Sequence, residues 1–203
     1  MRCPTITELK KGIEEFRKHE KRDAMYRVAT FIISHFWNNP ADIADGLGVL
    51  LLTWNQAFYR YGIFNFDKLE QCIRTNFSEI KSFRDRNIFD FSNDDEKIIK
   101  KIFNDFLNAL QIDAGKMKGR KSPVSVAKAI HLLAPKFFPL WDDKIARAYN
   151  CYYNQNPAEQ YIYFCKINKK IAEGLKNKVL DKNKSILKLI DEYNYSKYTK
   201  NWI

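Results

Sequence analysis

Asp95-Glu-Lys-Ile-Ile-Lys-Lys-Ile-Phe-Asn-Asp-Phe-Leu-Asn-Ala-Leu110, followed after four intervening residues by Gly115-Lys-Met-Lys-Gly-Arg-Lys-Ser-Pro123, decides how the chain reads. Ile98, Ile99, Ile102, Phe103, Phe106, Leu107 and Leu110 recur at steps of three and four, which puts them on one face of a helix. Ser92, three residues before Asp95, makes a capping-box pattern with Asp in place of Glu or Gln. The composition then changes. Residues 115–121 hold two glycines and four cations and no acid. Ser122 supplies an N-cap and Pro123 a first helical residue, so a second helix runs to about Leu133. The pattern is helix, basic glycine-containing turn, helix.

The same helical period extends outward from this stretch. Thr5 caps a helix to about Glu20, and a second runs from Asp23 to Trp37, stopped by Asn38-Asn39-Pro40. Residues from Ala41 to Tyr61, apolar through Leu47, Leu50, Leu51 and Trp54, read as one central core helix ended by Gly62. Asp67–Asn76 and Ser78–Arg86 make short helices, and Phe89–Phe91 a loop. Downstream, Pro135 and Pro139 fix a connection carrying Phe137, Phe138, Leu140 and Trp141. Asp142 then caps a helix through Tyr149. Helices over about Ala158–Lys176 and Asn183–Tyr195 close the chain. There is no repeat and no strand pattern. The expectation is an all-α fold, a single helical domain over residues 1–203 arranged as one lobe or two around a central cleft.

Composition narrows the function classes. Of 203 residues, 30 are aromatic and 45% are apolar, enough to exclude a disordered chain. Seven glycines and six prolines are too few for the turns of a β-rich protein of this length. Lys and Arg exceed Asp and Glu by 11, which favours a polyanionic partner. The longest apolar run, Leu47–Leu52, is far too short to span a bilayer, so no membrane partner is expected. The first five residues carry no apolar leader, and the expected location is cytoplasmic. Cys3, Cys72, Cys151 and Cys165 lack zinc spacing, and His19, His35 and His131 stand apart from them. No metal and no cofactor is expected, and the thiols read as buried filler. His131, mid-helix on an apolar face, reads as a core histidine.

The chemistry concentrates between Gly115 and Tyr149. A glycine-containing turn that opens into a helix N-terminus offers backbone N–H groups and the positive end of the dipole to a phosphate. Lys116, Lys118, Arg120 and Lys121 surround it with positive charge, as a backbone clamp requires. Asp142 follows Trp141 at a helix start. A carboxylate beside an aromatic wall can stabilise a developing cation such as a sugar oxocarbenium ion; it can also be an N-cap and nothing more. Asp142-Asp143-Lys144 matches the acid-X-Lys half of a metal-dependent nuclease core. A basic helical module that only binds DNA or RNA fits the same composition.

Leu140-Trp-Asp-Asp-Lys-Ile-Ala-Arg147 resembles the segment after the hairpin in the helix-hairpin-helix superfamily of DNA glycosylases. Ser125–Ile130 is similar to the helix leading out of that hairpin, and Leu51-Leu-Thr-Trp-Asn-Gln56 to the family's early core helix. The hairpin itself differs from the family's Pro-Gly-X-Gly, and the four-cysteine iron–sulfur loop of some members is absent. The resemblance implies a compact helical glycosylase fold, with the hairpin and the catalytic Asp inside residues 95–150. It implies excision of a modified or damaged base flipped out of double-stranded DNA by a monomer, with or without abasic-site lyase activity. Asp142 falls on the catalytic Asp. Lys121 is the candidate amine nucleophile, with Lys128 as the second candidate. Trp54, Asn55, Gln56, Phe58, Trp141 and Tyr149 are the candidate base pocket. Gly115, Lys116, Lys118, Gly119, Arg120, Ser122, Ser125 and Arg147 are the candidate DNA contacts. The base itself is not legible, and a repair role and an antiviral role both fit.

Overall fold

A computed structural model describes residues 3–176, 181 and 183–203. Among these residues every regular element is helical: α1 (Ile6–His19), α2 (Ala24–His35), α3 (Pro40–Trp54), α4 (Gln56–Tyr59), α5 (Phe66–Thr75), α6 (Phe77–Arg84), a 3₁₀ turn (Ile88–Asp90), α7 (Asp95–Ala109), α8 (Pro123–Leu133), α9 (Asp143–Ala148), α10 (Pro157–Glu173), α11 (Ile186–Asn194) and a π turn (Tyr195–Thr199). The caps are chemical. Thr5 and Glu8 form a reciprocal capping box, and Ser122, Asp142 and Ser185 each accept a backbone N–H three residues on.

The apolar stripes meet in one contiguous core. α3 packs on α2 and α5, α5 on α7, and α7 on both α8 and α10. The chain ends come together: α1 packs on α11 and on the π turn. The contact is close at Gly12, where an added Cβ would lie 2.7 Å from the Tyr193 ring and 3.0 Å from its Cα. Ser196 Oγ donates to the Gly12 carbonyl oxygen at 2.8 Å and locks that crossing. No described helix is long and apolar enough to cross a membrane.

Several boundaries differ from the sequence reading. The expected Ala41–Tyr61 helix breaks at Asn55, whose φ of −118° and ψ of 34° leave the helical region. Its side-chain amide is held by Ser125 and Lys128 of α8 instead, so tertiary hydrogen bonds outcompete helix continuation. Phe89–Phe91 is not a plain loop, because a 3₁₀ turn precedes Phe91. The helix after Ser92 starts at Asp95. Asp95 Oδ2 accepts the Ser92 backbone N–H at 2.8 Å, while the Arg86 fork grips both carboxylate oxygens at 2.7 and 2.8 Å. The last α-helix starts at Ile186, behind its Ser185 cap, and runs on past Asn194 as the π turn.

The α7–α8 connection closes on itself. Ile112 N donates to the Arg120 carbonyl oxygen at 2.9 Å, and Gly119 N to the Ile112 carbonyl oxygen at 2.8 Å. Gly115 and Gly119 sit at φ of +77° and +83°, a region that side chains with a Cβ adopt only under strain. The two glycines of the basic stretch are therefore needed where they stand.

Candidate active site

A cavity of about 310 Å³ opens where α1, α2, α3, α8, α9 and α11 converge. Asp142 and Lys128 both line it, and so do Trp54 and Trp141. Asp142 is the N-cap of α9: its Oδ1 accepts the Ile145 backbone N–H at 2.7 Å. Its Oδ2 accepts the Thr199 hydroxyl at 2.7 Å. Thr199 comes from the π turn, which is tied back to α9 through Lys144 Nζ donating to the Thr199 carbonyl oxygen at 2.8 Å. The cap reading and the catalytic reading of Asp142 are thus compatible. The cap fixes one oxygen, the threonine fixes the other, and the carboxylate still borders the cavity.

Lys128 sits one turn and a half into α8. Its ammonium donates to the Trp54 carbonyl oxygen at 3.1 Å and to the Asn55 side-chain oxygen, and lies 4.8 Å from the centre of the Trp54 ring. Burial disfavours its charge and pulls its pKa down to about 8, against the opposing pull of the Asp142 carboxylate. Asn55 links this amine to the basic hairpin. Its amide nitrogen donates to Ser125 Oγ, and Ser125 N donates to Ser122 Oγ, the cap of α8.

The other residues singled out in the sequence divide. Trp54 and Trp141 line the cavity, Trp54 partly buried and Trp141 almost wholly so, between Phe103, Tyr153, Tyr161 and Phe164. Asn55 stands directly behind Lys128. Gln56 is exposed beyond the break, and Phe58 packs edge-on against Tyr59. Tyr149 is buried with its hydroxyl on Asn194 Oδ1 at 2.7 Å. Neither Gln56, Phe58 nor Tyr149 lines the cavity. Lys121 is exposed, donates to Asn108 Oδ1 at 2.6 Å and does not line the cavity either. Of the two candidate amines, Lys128 lines the cavity and Lys121 does not. In the sequence the two lysines flank the same helix start, and only the packing of α8 on α3 and α7 separates them.

On the hairpin, Gly115, Lys116, Lys118, Gly119 and Arg120 are all exposed. Ser122 and Ser125 are buried, engaged in the cap and in the Asn55 contact. Arg147 is exposed but already forked onto Asp143 at 3.0 Å and stacked 3.6 Å over Tyr152. The sequence reading missed Thr199, which holds Asp142 from behind, and, in the cavity lining, Tyr26 and the charged group Asp23, Lys188 and Asp191. Among the described residues no group of three His, Cys, Asp or Glu side chains is placed to hold a metal ion. Asp142 and Lys144 both reach Thr199 while Asp143 turns to Arg147, all from a helix start rather than from adjacent strands. Compared with family models, with curated proteins and with solved structures, the chain matches none.

Proposed function

We propose that the chain is a DNA glycosylase that takes a flipped base into this cavity and breaks its bond to the sugar. The observation that carries the reading is the pairing in one aromatic-walled cavity of a carboxylate held by two hydrogen bonds and a lysine whose pKa is pulled toward neutrality. The α7–α8 turn serves as the hairpin of a helix-hairpin-helix element, with Lys116, Lys118 and Arg120 on the phosphates of double-stranded DNA. Asp142 stabilises the positive charge that grows on the sugar as the C1′–N bond lengthens. Lys128, as the free amine, donates its lone pair to C1′. The electron pair of the C1′–N bond leaves with the base, which takes up a proton, and the amine sheds its own proton. The nitrogen lone pair then forms the C=N bond of the iminium as the C1′–O4′ bond breaks, and O4′ leaves with that electron pair and takes up a proton.

The test is a panel of duplexes, each carrying one modified base, scored for free base, abasic sites and borohydride-trapped adduct. Asp142→Asn keeps the cap geometry and is expected to lower base release by about 100-fold or more while leaving DNA affinity intact. Asp143→Asn is expected to be mild. The trapped adduct should vanish in Lys128→Gln and persist in Lys121→Gln. Full activity of Asp142→Asn on a substrate that the wild type cleaves would overturn the reading.

A further inference from the structure

The cavity wall built by α2, α3 and α11 has a hydrogen-bonding polarity that can be worked out atom by atom. His131 is fully buried, and burial pulls its pKa down to about 4, so the ring is neutral. Its Nδ1 lies 2.6 Å from the Phe138 carbonyl oxygen, which can only accept, so Nδ1 carries the proton. Nε2 is then a bare lone pair, 3.1 Å from the Tyr26 hydroxyl. Tyr26 must donate to it. The Tyr26 oxygen, on a residue that lines the cavity, has only lone pairs left to offer. Thr53 repeats this: its hydroxyl proton goes to the Val49 carbonyl oxygen at 3.0 Å.

The charged groups of the same wall tell the same story. Lys188, with a side chain only 5% exposed, faces three carboxylates: Asp23 at 3.0 Å, Asp191 at 3.5 Å and Glu192 at 4.0 Å. The ammonium is turned to Asp23 and Asp191, with Glu192 at ion-pair range behind them, while Asp23 and Asp191 keep lone pairs and border the cavity, 19% and 13% exposed. Four carboxylates and two ammonium groups line the cavity of a chain whose net charge is +11. One of those two ammonium groups is Lys128, already assigned to the sugar.

We infer that the cavity selects amino-bearing bases over their keto counterparts: Tyr26, Asp23 and Asp191 accept hydrogen bonds from an exocyclic amine, and a carbonyl in its place would meet their lone pairs. The inference rests on the glycosylase reading for its ligand class, a nucleobase, but not for its readout. Carboxylates accept from the cytosine amine in the same way when proteins read DNA. A site built to accept rejects the analogue without the donor strongly, because its buried acceptors lose their partner.

The experiment is ligand-observed NMR titration of the full chain with free bases in matched pairs, cytosine against uracil and adenine against hypoxanthine, up to their solubility. The amino member of each pair is expected to bind at least about 10-fold tighter. Asp191→Asn, whose amide can donate, and Tyr26→Phe, which lacks the acceptor, should each shrink that ratio several-fold, with folding checked by circular dichroism. Equal affinity, a keto preference, or no binding of any base by the wild type overturns the inference. So does an unchanged ratio in both variants. Amino-selective binding without base release from any duplex would sink the glycosylase reading and leave this one standing; base release without amino preference does the reverse.

Discussion

Lys128 shows what one side chain can contribute through its surroundings. An exposed lysine at neutral pH is an ammonium and no nucleophile. At this position the loss of hydration brings the pKa to about 8, and the Trp54 carbonyl and Asn55 amide aim the nitrogen. The sign is fixed by the chemistry: attack needs the neutral amine, whose fraction rises as pH passes through the pKa. Single-turnover adduct formation is therefore expected to climb about tenfold per pH unit below 8 and to level off above it. Lys128→Arg, which keeps the charge and cannot lose it, should form no adduct at any pH. A flat profile between pH 6 and 9 would remove Lys128 from the reaction. The adjacent His131 was legible as a core histidine, because an apolar helix face leaves little else for it to be. Lys128 was legible only as one of two candidates. What separates it from Lys121 is which side of the α8 start each one leaves, and that is decided by the packing of α8 on α3 and α7.

Among the elements, the π turn at Tyr195–Thr199 has the clearest consequence for the site. Its wider turn continues α11 and ends with the Thr199 hydroxyl on Asp142 Oδ2. Asp142 would otherwise keep one oxygen free to rotate about its cap. Thr199→Val removes that hydrogen bond at nearly constant volume. It is expected to lower kcat about tenfold and leave KM for duplex DNA unchanged, at a stability cost of about 1 kcal/mol. Thr199→Ser should restore kcat, which a merely structural role would not require. An equal loss in both variants, or a loss confined to KM, would make Thr199 a packing residue. The π turn had no signal in the sequence: residues 186–199 carry a helical period, and where the register slips depends on Ser196 reaching Gly12 across the molecule.

At the scale of the whole molecule, the buried ionic group between α2 and α11 makes stability depend on pH. Burial holds the Asp191 carboxyl up at about 6, with Lys188 pulling it down and Glu192, Asp142 and Asp23 pushing it up. An acid whose folded pKa lies above its unfolded value stabilises the fold below the unfolded pKa, near 4, and that contribution fades as pH rises through 6. Asparagine cannot take up this proton. Relative to wild type, Asp191→Asn should therefore be most tolerable at pH 7.5 and lose on the order of 2 kcal/mol more by pH 4.5. His131 acts with the opposite sign: its pKa is pulled down, so its contribution is present above 6.5 and lost as pH falls toward 4. The two offset each other in the wild type, and urea denaturation of Asp191→Asn across pH 4.5–7.5 should uncover the acid-side loss. A pH-independent difference between the two proteins would show that Asp191 does not titrate in the fold.

The all-helical class, the caps at Thr5, Ser122 and Asp142, the glycine-containing basic turn and the placing of Asp142 on a helix start were all determined by the sequence alone. Each depends on residues a few positions apart, where hydrogen bonds and apolar period act locally. The break at Asn55, the choice of Lys128 over Lys121 at the cavity, the second hydrogen bond on Asp142 and the acceptor wall of Tyr26, Asp23 and Asp191 were decided only by the tertiary structure. These contacts join residues 57 to 165 positions apart, and nothing in a local pattern records which of many polar side chains will meet when α1, α2, α8 and α11 pack. Burial then sets their chemistry: the same lysine, aspartate or tyrosine on the surface would carry its ordinary charge and hydrogen bonds, and the site would not exist.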